Sequence, residues 1–477
     1  MTGLLRILSL LPLCASLAFA QTAPPSPNHP WHTSDEQTIE TDAQRLRESR
    51  LTINPNTTYS LAELIDLAET QNPGTRVAWE RARTQAAALG IARSELYPAL
   101  AAAVLSQTQR AEILFGDRFI RQTVQDFDVA LSLNYTVFDF GARSARISAT
   151  RAQVLAANFA FNDTHRRIIY QVEEAYYRLL NSIGQEDAAR ASLANAQKVQ
   201  QAAEDRLANG LATLPDVLEA RSATAQSEYD LQAVLGSEEI AHGDLATAEG
   251  ISPTTVIRVQ PLDQIPTPDS VGDSVEHAIE RALKQRPDLL EQVAQIRSAD
   301  STIKEARAAY YPDLTVTAIP VAHSSYGLQQ QMPWTHTAGL GGGIFFDLQW
   351  TVFDGGLRKS RVAQARADAK AAEAQAQAAR DQIADEVWAA YSNLNTAFRQ
   401  RQAAAALLEA SSQSYAAALE SYNYGVRNLL DVTAAQRTLA QARSADVLAR
   451  TQVLTALANL AFRAGDAIQP EQVRPVP

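Results

Sequence analysis

Two spacings of hydrophobic residues alternate along this chain, and each occurs twice. In 127–137, Phe127, Val129, Leu131, Leu133, Tyr135 and Val137 alternate with Asp128, Ala130, Ser132, Asn134 and Thr136. In 344–352, Ile344, Phe346, Leu348, Trp350 and Val352 alternate with Phe345, Asp347, Gln349 and Thr351. A period of two puts the apolar set on one face of a strand, and about 10 such residues match a membrane strand with a lipid face and a wet face. Weaker strands are expected near 100–110, where Ala dominates, and at 313–319, which Pro320 should end. The intervening segments 111–124 and 324–340 are polar or contain Gly, and are expected as loops outside the cell. Taken singly, each strand also fits a half-buried sheet on a soluble core.

The second spacing is helical. No Pro lies between Pro98 and Pro215, Gly184 is the only Gly from Ala142 to Asn209, and neither residue occurs from Leu357 to Tyr424. These breaker-free stretches, rich in Ala, Gln, Glu and Arg, predict helices on the order of 100 Å long. Ile147, Val154, Phe161, Ile168, Val172 and Leu179 recur near 3.5 residues, as do Val362, Ala369, Ala376, Ile383, Val387 and Leu394. Such a seam implies coiled-coil-like packing. Each long helix ends at a short tip, 209–216 and 423–431, from which a return helix (about 216–249 and 431–464) runs back at half its partner's length. Segments 59–90 and 273–308 supply the missing length against the same long helix.

The chain is therefore a tandem repeat. Asn72-Pro73-Gly74 recurs as Arg286-Pro287-Asp288 and Tyr97-Pro98 as Tyr311-Pro312; Val137-Phe138-Asp139 recurs as Val352-Phe353-Asp354, and Gly210…Asp216-Val217 as Gly425…Asp431-Val432. The expected divisions are a signal peptide (1–20), an extended arm (21–57), a first repeat (58–250), a Pro-rich linker (251–272), a second repeat (273–465) and a tail (466–477).

Composition narrows the function. Arg6, the apolar run Ile7 to Leu13 and Ala18-Phe19-Ala20 form a secretory signal. The single cysteine, Cys14, lies inside it; lipid attachment there is disfavoured because Leu13, not a small residue, precedes it. The mature chain then has no thiol for disulfides or metal. A net charge of −11 argues against nucleic acid. The seven His are scattered without metal-ligand spacing, and no phosphate-binding loop, nucleophile elbow or catalytic Cys is present. No catalytic residue, metal or cofactor is expected. Beyond residue 20, no apolar run approaches the roughly 20 residues of a spanning helix.

Counting strands forces assembly. Backbone in a bilayer must pair completely, which demands a closed barrel, and membrane barrels start at about eight strands. Four strands per chain give 12 in a trimer. With the duplicated unit, the Tyr-Pro before each first strand, Phe138-Asp139-Phe140-Gly141 and Phe353-Asp354-Gly355-Gly356 at the strand-to-helix transitions, and the two tips, the sequence resembles a TolC-type outer-membrane efflux channel over nearly all of 58–465.

That resemblance implies a mainly α fold with membrane β: long coiled-coil helices plus two β-hairpin strand pairs, trimerising into a 12-stranded barrel above a periplasmic helical tunnel. It implies a homotrimeric, passive export duct in the outer membrane, in contact with lipid along Phe127, Val129, Leu131, Leu133, Tyr135, Ile344, Phe346, Leu348 and Trp350. A periplasmic adaptor (membrane fusion protein) and an inner-membrane pump or ABC exporter would dock at the tips and open them. Asp216, Tyr422 and Arg427 match positions whose polar links hold the tunnel shut, and Asp431 a position that rings the constriction with carboxylates; the family's second acidic position is Ala434 here. Asp216 and Asp431 also suit helix N-termini as simple caps. Gly210, Leu211, Leu214, Gly425, Val426 and Leu429 are the expected adaptor contacts, because apolar residues at a loop tip are poorly explained as core. The alternative is a periplasmic coiled-coil adaptor or scaffold without its own barrel.

Overall fold

The computed structural model describes residues 28, 36–46, 57–266, 268, 274–329 and 334–466. The signal segment with Cys14 and the residues after 466 lie outside them. Within the arm expected to be extended, Glu36–Leu46 is a helix, α1. Glu36 in its first turn and Arg45 in its last complement the helix dipole, and no Pro or Gly interrupts it.

The described residues from 57 onward form one compact unit. Its elements are β1 (Thr58–Tyr59), α2 (Leu61–Gln71), α3 (Pro73–Ser94), β2 (Ala99–Phe115), β3 (Arg118–Phe138), α4 (Ala142–Ala208), α5 (Leu214–Ala248), β4 (Arg258–Val259), α6 (Val275–Gln285), α7 (Pro287–Ala308), β5 (Asp313–Gln329), β6 (Thr335–Gln349), α8 (Leu357–Asn423) and α9 (Leu429–Ala464). The second set repeats the first. α4 and α8 are each 67 residues, about 100 Å. α5 returns along one half of α4, and α3 and α7 cover the other; α9, α6 and α7 serve α8 in the same way. The heptad positions Ile147, Ile168, Val172, Leu179, Val362, Ile383, Val387 and Leu394 are buried. Gly184 permits the closest approach: a Cβ there would lie 2.5 Å from Cγ1 of Val447 on α9.

Each short-helix segment breaks at its Pro. Asn72 and Arg286 are extended, as residues before Pro must be, and each ends one helix and begins the next. The linker is docked rather than free: β4 pairs in parallel with β1, and Asp263 accepts from Arg450 at 2.6 Å.

The four long strands form one antiparallel sheet in the order β2-β3-β5-β6, with no partner among the described residues for the outer edges of β2 and β6. The strands exceed expectation. They have 17, 21, 17 and 15 residues, so most of 111–124 and much of 324–340 is strand, not loop. Phe115 pairs with Arg118 across a two-residue turn in which Gly116 takes φ +65. Pro320 lies inside β5 rather than ending it. It faces Gly342 on β6, while the β3 ladder skips it, resuming at Ala130–Val321 and Leu133–Ala318, since Pro has no N–H to donate. β6 stops at Gln349, so Trp350 stands just past the strand, its indole N–H donating to the Tyr310 carbonyl at 3.1 Å. Phe127, Val129, Leu131, Ile344, Phe346, Leu348 and Trp350 are exposed, and Leu133 and Tyr135 half-buried.

The sheet is joined to the helices by the same clamp in both copies. Asp139 accepts from the backbone N–H groups of Gly141 (3.1 Å) and Arg143 (2.8 Å) and from Nε of Arg143 (2.9 Å). Asp354 accepts from Gly356 (3.0 Å), Arg358 (3.0 Å) and its Nε (2.6 Å). Between Asp and cap, the second copy places Gly355 at φ +64, where the first holds Phe140 at φ +50. That strained Phe stacks on Tyr311, with centroids 4.8 Å apart, tying the two copies together.

Candidate functional site at the helical tips

Apolar residues from four helices meet beneath the tips. Val199 and Ala203 of α4, Val217 and Ala220 of α5, Tyr415, Ala418 and Tyr422 of α8, and Leu429, Val432 and Leu439 of α9 form one buried cluster. The cluster fixes both turns relative to each other. Gly210 (φ +69) and Gly425 (φ +76) reverse the chain, and the N–H of each following residue returns to a carbonyl of the long helix: Leu211 to Arg206 at 2.8 Å, Val426 to Ser421 at 2.9 Å.

Asp216 closes a capping box at the start of α5. Its Oδ2 accepts from the N–H of Thr213 at 2.8 Å and from the Thr213 hydroxyl at 2.7 Å. Those two donors, with Arg206 beyond them, hold its carboxyl below the usual range. Asp431 is exposed in the first turn of α9, where Asn428 caps its N–H at 2.9 Å. Asp216 thus uses its carboxylate in the cap of α5, whereas Asp431 enters the cap of α9 only through its N–H and its side chain is exposed.

Tyr422 is buried, its hydroxyl lacking a hydrogen-bond partner among the described residues. Burial pushes this phenol up, against the opposing effect of Arg206. Arg427 is exposed and makes no ion pair with any described residue of its chain. The predicted gate residues therefore separate into two groups. Tyr422 and Asp216 both lie within reach of Arg206, whereas Arg427 and Asp431 are exposed. Arg206 carried no sequence signal beyond a cation in a last helical turn, a common dipole partner.

Of the expected contacts, Leu211, Leu214 and Val426 are exposed, Val426 at 79%, as are Gly210 and Gly425. Leu429 is not. It is 2% exposed within the cluster, and Leu430, at 59%, takes the outward place. The helix begins at Leu429, so its phase turns the first Leu inward and the second outward.

The model of the family described as outer membrane efflux protein matches residues 64–250 and 278–466. Protein CyaE of Bordetella pertussis is 27% identical over 408 residues, covering 85% of this chain and 84% of that protein. Outer membrane protein OprJ of Pseudomonas aeruginosa is 26% identical over 413 residues, covering 85% and 83%. Among solved structures, the outer-membrane channel OprN superposes with a TM-score of 0.75 at 20% identity, covering 85% of this chain and 89% of that one. CusC superposes with 0.74 at 18% identity, covering 88% and 95%.

Proposed function

Because the chain belongs to the outer membrane efflux protein family, we propose that three copies close a 12-stranded barrel and that their helices continue it as a tunnel shut at the tips. The protein is an outer-membrane export duct reaching into the periplasm, and not an enzyme. The observation that carries the trimer is the four-stranded sheet with both edges open, its apolar residues outward, since a bilayer tolerates no unpaired edge. The same sheet counts against an adaptor or scaffold lacking a barrel.

An adaptor and an inner-membrane pump or ABC exporter dock at Gly210, Leu211, Leu214, Gly425 and Val426, with Leu430 in place of Leu429. Tyr422, Arg427 and Asp216 hold the closed state, and Asp431 of each copy contributes a carboxylate to the constriction. The relatives' names span pyoverdine export and cation efflux, which fits a duct whose pump does the selecting.

Tyr422→Phe combined with Arg427→Ser is expected to raise single-channel conductance in planar bilayers; unchanged conductance would sink the gate. Heat-modifiable migration as a trimer tests the assembly, and a soluble monomer would refute it.

A further inference from the structure

The two 67-residue helices end beside each other, each with C-terminal carbonyls that lack a partner within the helix. One guanidinium joins the end of α8 to the first tip. Nη1 of Arg206, in the last turn of α4, donates to the Tyr422 carbonyl in the last turn of α8. Nη2 donates to the Leu211 carbonyl in the first tip at 3.3 Å. The guanidinium carbon stands 4.7 Å from the centroid of the Tyr422 ring. A cation is favoured at a helix C-terminus and over an aromatic face, and here one group does both across two tips. The equivalent position in the second copy is Ser421, so only the first copy supplies the cation.

We infer that Arg206 is the clasp that makes the two tips of a protomer move as one body, and that its release loosens the closure at Tyr422; the second half rests on the gate assignment above. Within the described residues the network is held incompletely: Nε of Arg206 and the hydroxyl of Tyr422 are both buried and have no hydrogen-bond partner among them. A partly satisfied polar network joins its elements without making the joined state the deepest one available, which suits a link that must part.

The test uses the detergent-solubilised trimer and its channel in planar bilayers. Arg206→Met keeps the apolar stem and removes the fork. Amide hydrogen exchange is expected to rise roughly tenfold in 423–431 as well as in 209–216, and open-state occupancy to rise by a similar factor, the loss of one charge-assisted hydrogen bond. Arg206→Lys keeps the charge without the fork or the stack, is expected to give about a third of that rise, and replaces the Met variant if it does not assemble. Faster exchange in 209–216 alone would overturn the clasp, because a cation serving only its own helix end moves only its own tip. Loosening of both tips with unchanged conductance, where Tyr422→Phe with Arg427→Ser does open the channel, would overturn the link to closure. If that double variant leaves conductance unchanged, the gate falls by itself, and exchange at the two tips still decides the clasp.

Discussion

At the break between α2 and α3, Asn72 donates from Nδ2 to the Ala248 carbonyl at 2.9 Å, near the end of the return helix, and caps Gly74 at 2.7 Å. At the matching break between α6 and α7, Arg286 reaches the matching carbonyl, of Arg463, at 3.4 Å. It also pairs with both oxygens of Asp288 (3.1 and 2.6 Å) and with Glu386 at 2.8 Å, while Arg463 joins Glu386 at 2.8 Å and Arg166 approaches Asp288 at 3.8 Å. Burial opposes the charge on Asp288, but Arg286 prevails and holds the carboxyl below its usual range. The return helices even end alike, at Gly250 (φ +77) and Gly465 (φ +88). The two copies share this backbone geometry, while the Asn72 junction is neutral and the Arg286 junction ionic. The neutral junction has its own oddity. Glu249, one residue before Gly250, is completely buried with neither oxygen bonded to any described residue, and its counterpart is Ala464.

The largest difference between the two junctions is expected at Arg286. Arg286→Met removes the principal partner of Asp288 and leaves Glu386 paired with Arg463, and is expected to cost about 3 kcal/mol, read as loss of thermal stability of the solubilised protein. Glu249 comes next. Burial pushes its carboxyl up to about 8 from 4.5, so the folded chain keeps a proton that the unfolded chain releases. Its contribution is therefore lost as pH rises through that window. Thermal midpoints of the wild type should fall between pH 5 and 9, and Glu249→Gln should flatten most of that slope, worth about 1–3 kcal/mol. Glu173, pushed by burial to about 7, adds to the same slope, as do Glu238 and Glu291, both raised chiefly by burial. The smallest effect is expected at Asn72→Ala, about 1 kcal/mol for a lost cap and one carbonyl contact. If it equals Arg286→Met, the ionic junction adds nothing over the neutral one.

The repeat and its helices were legible because Pro and Gly are confined to the turns and the seams keep their spacing. Strand length was not. Beyond Phe127, residues such as Gln107, Arg110, Gln122 and Gln125 are polar on both faces, so alternation fades while backbone pairing continues. Pro320 misled for a related reason: it rules out one hydrogen bond, not the strand. At the tip, whether Leu429 or Leu430 turns inward depends on the residue at which α9 starts, and composition does not set that. Arg206 was invisible because its meaning lies in a contact 216 residues away.

The open edges of β2 and β6 have a genetic consequence. A chain whose sheet cannot be completed alone shares its fate with its neighbours, so a defective copy expressed beside a normal one spoils more assemblies than its own proportion. Alleles damaging the sheet edges should remain recessive, because such chains never join. Alleles damaging the tips should be dominant-negative, because those chains assemble and then fail.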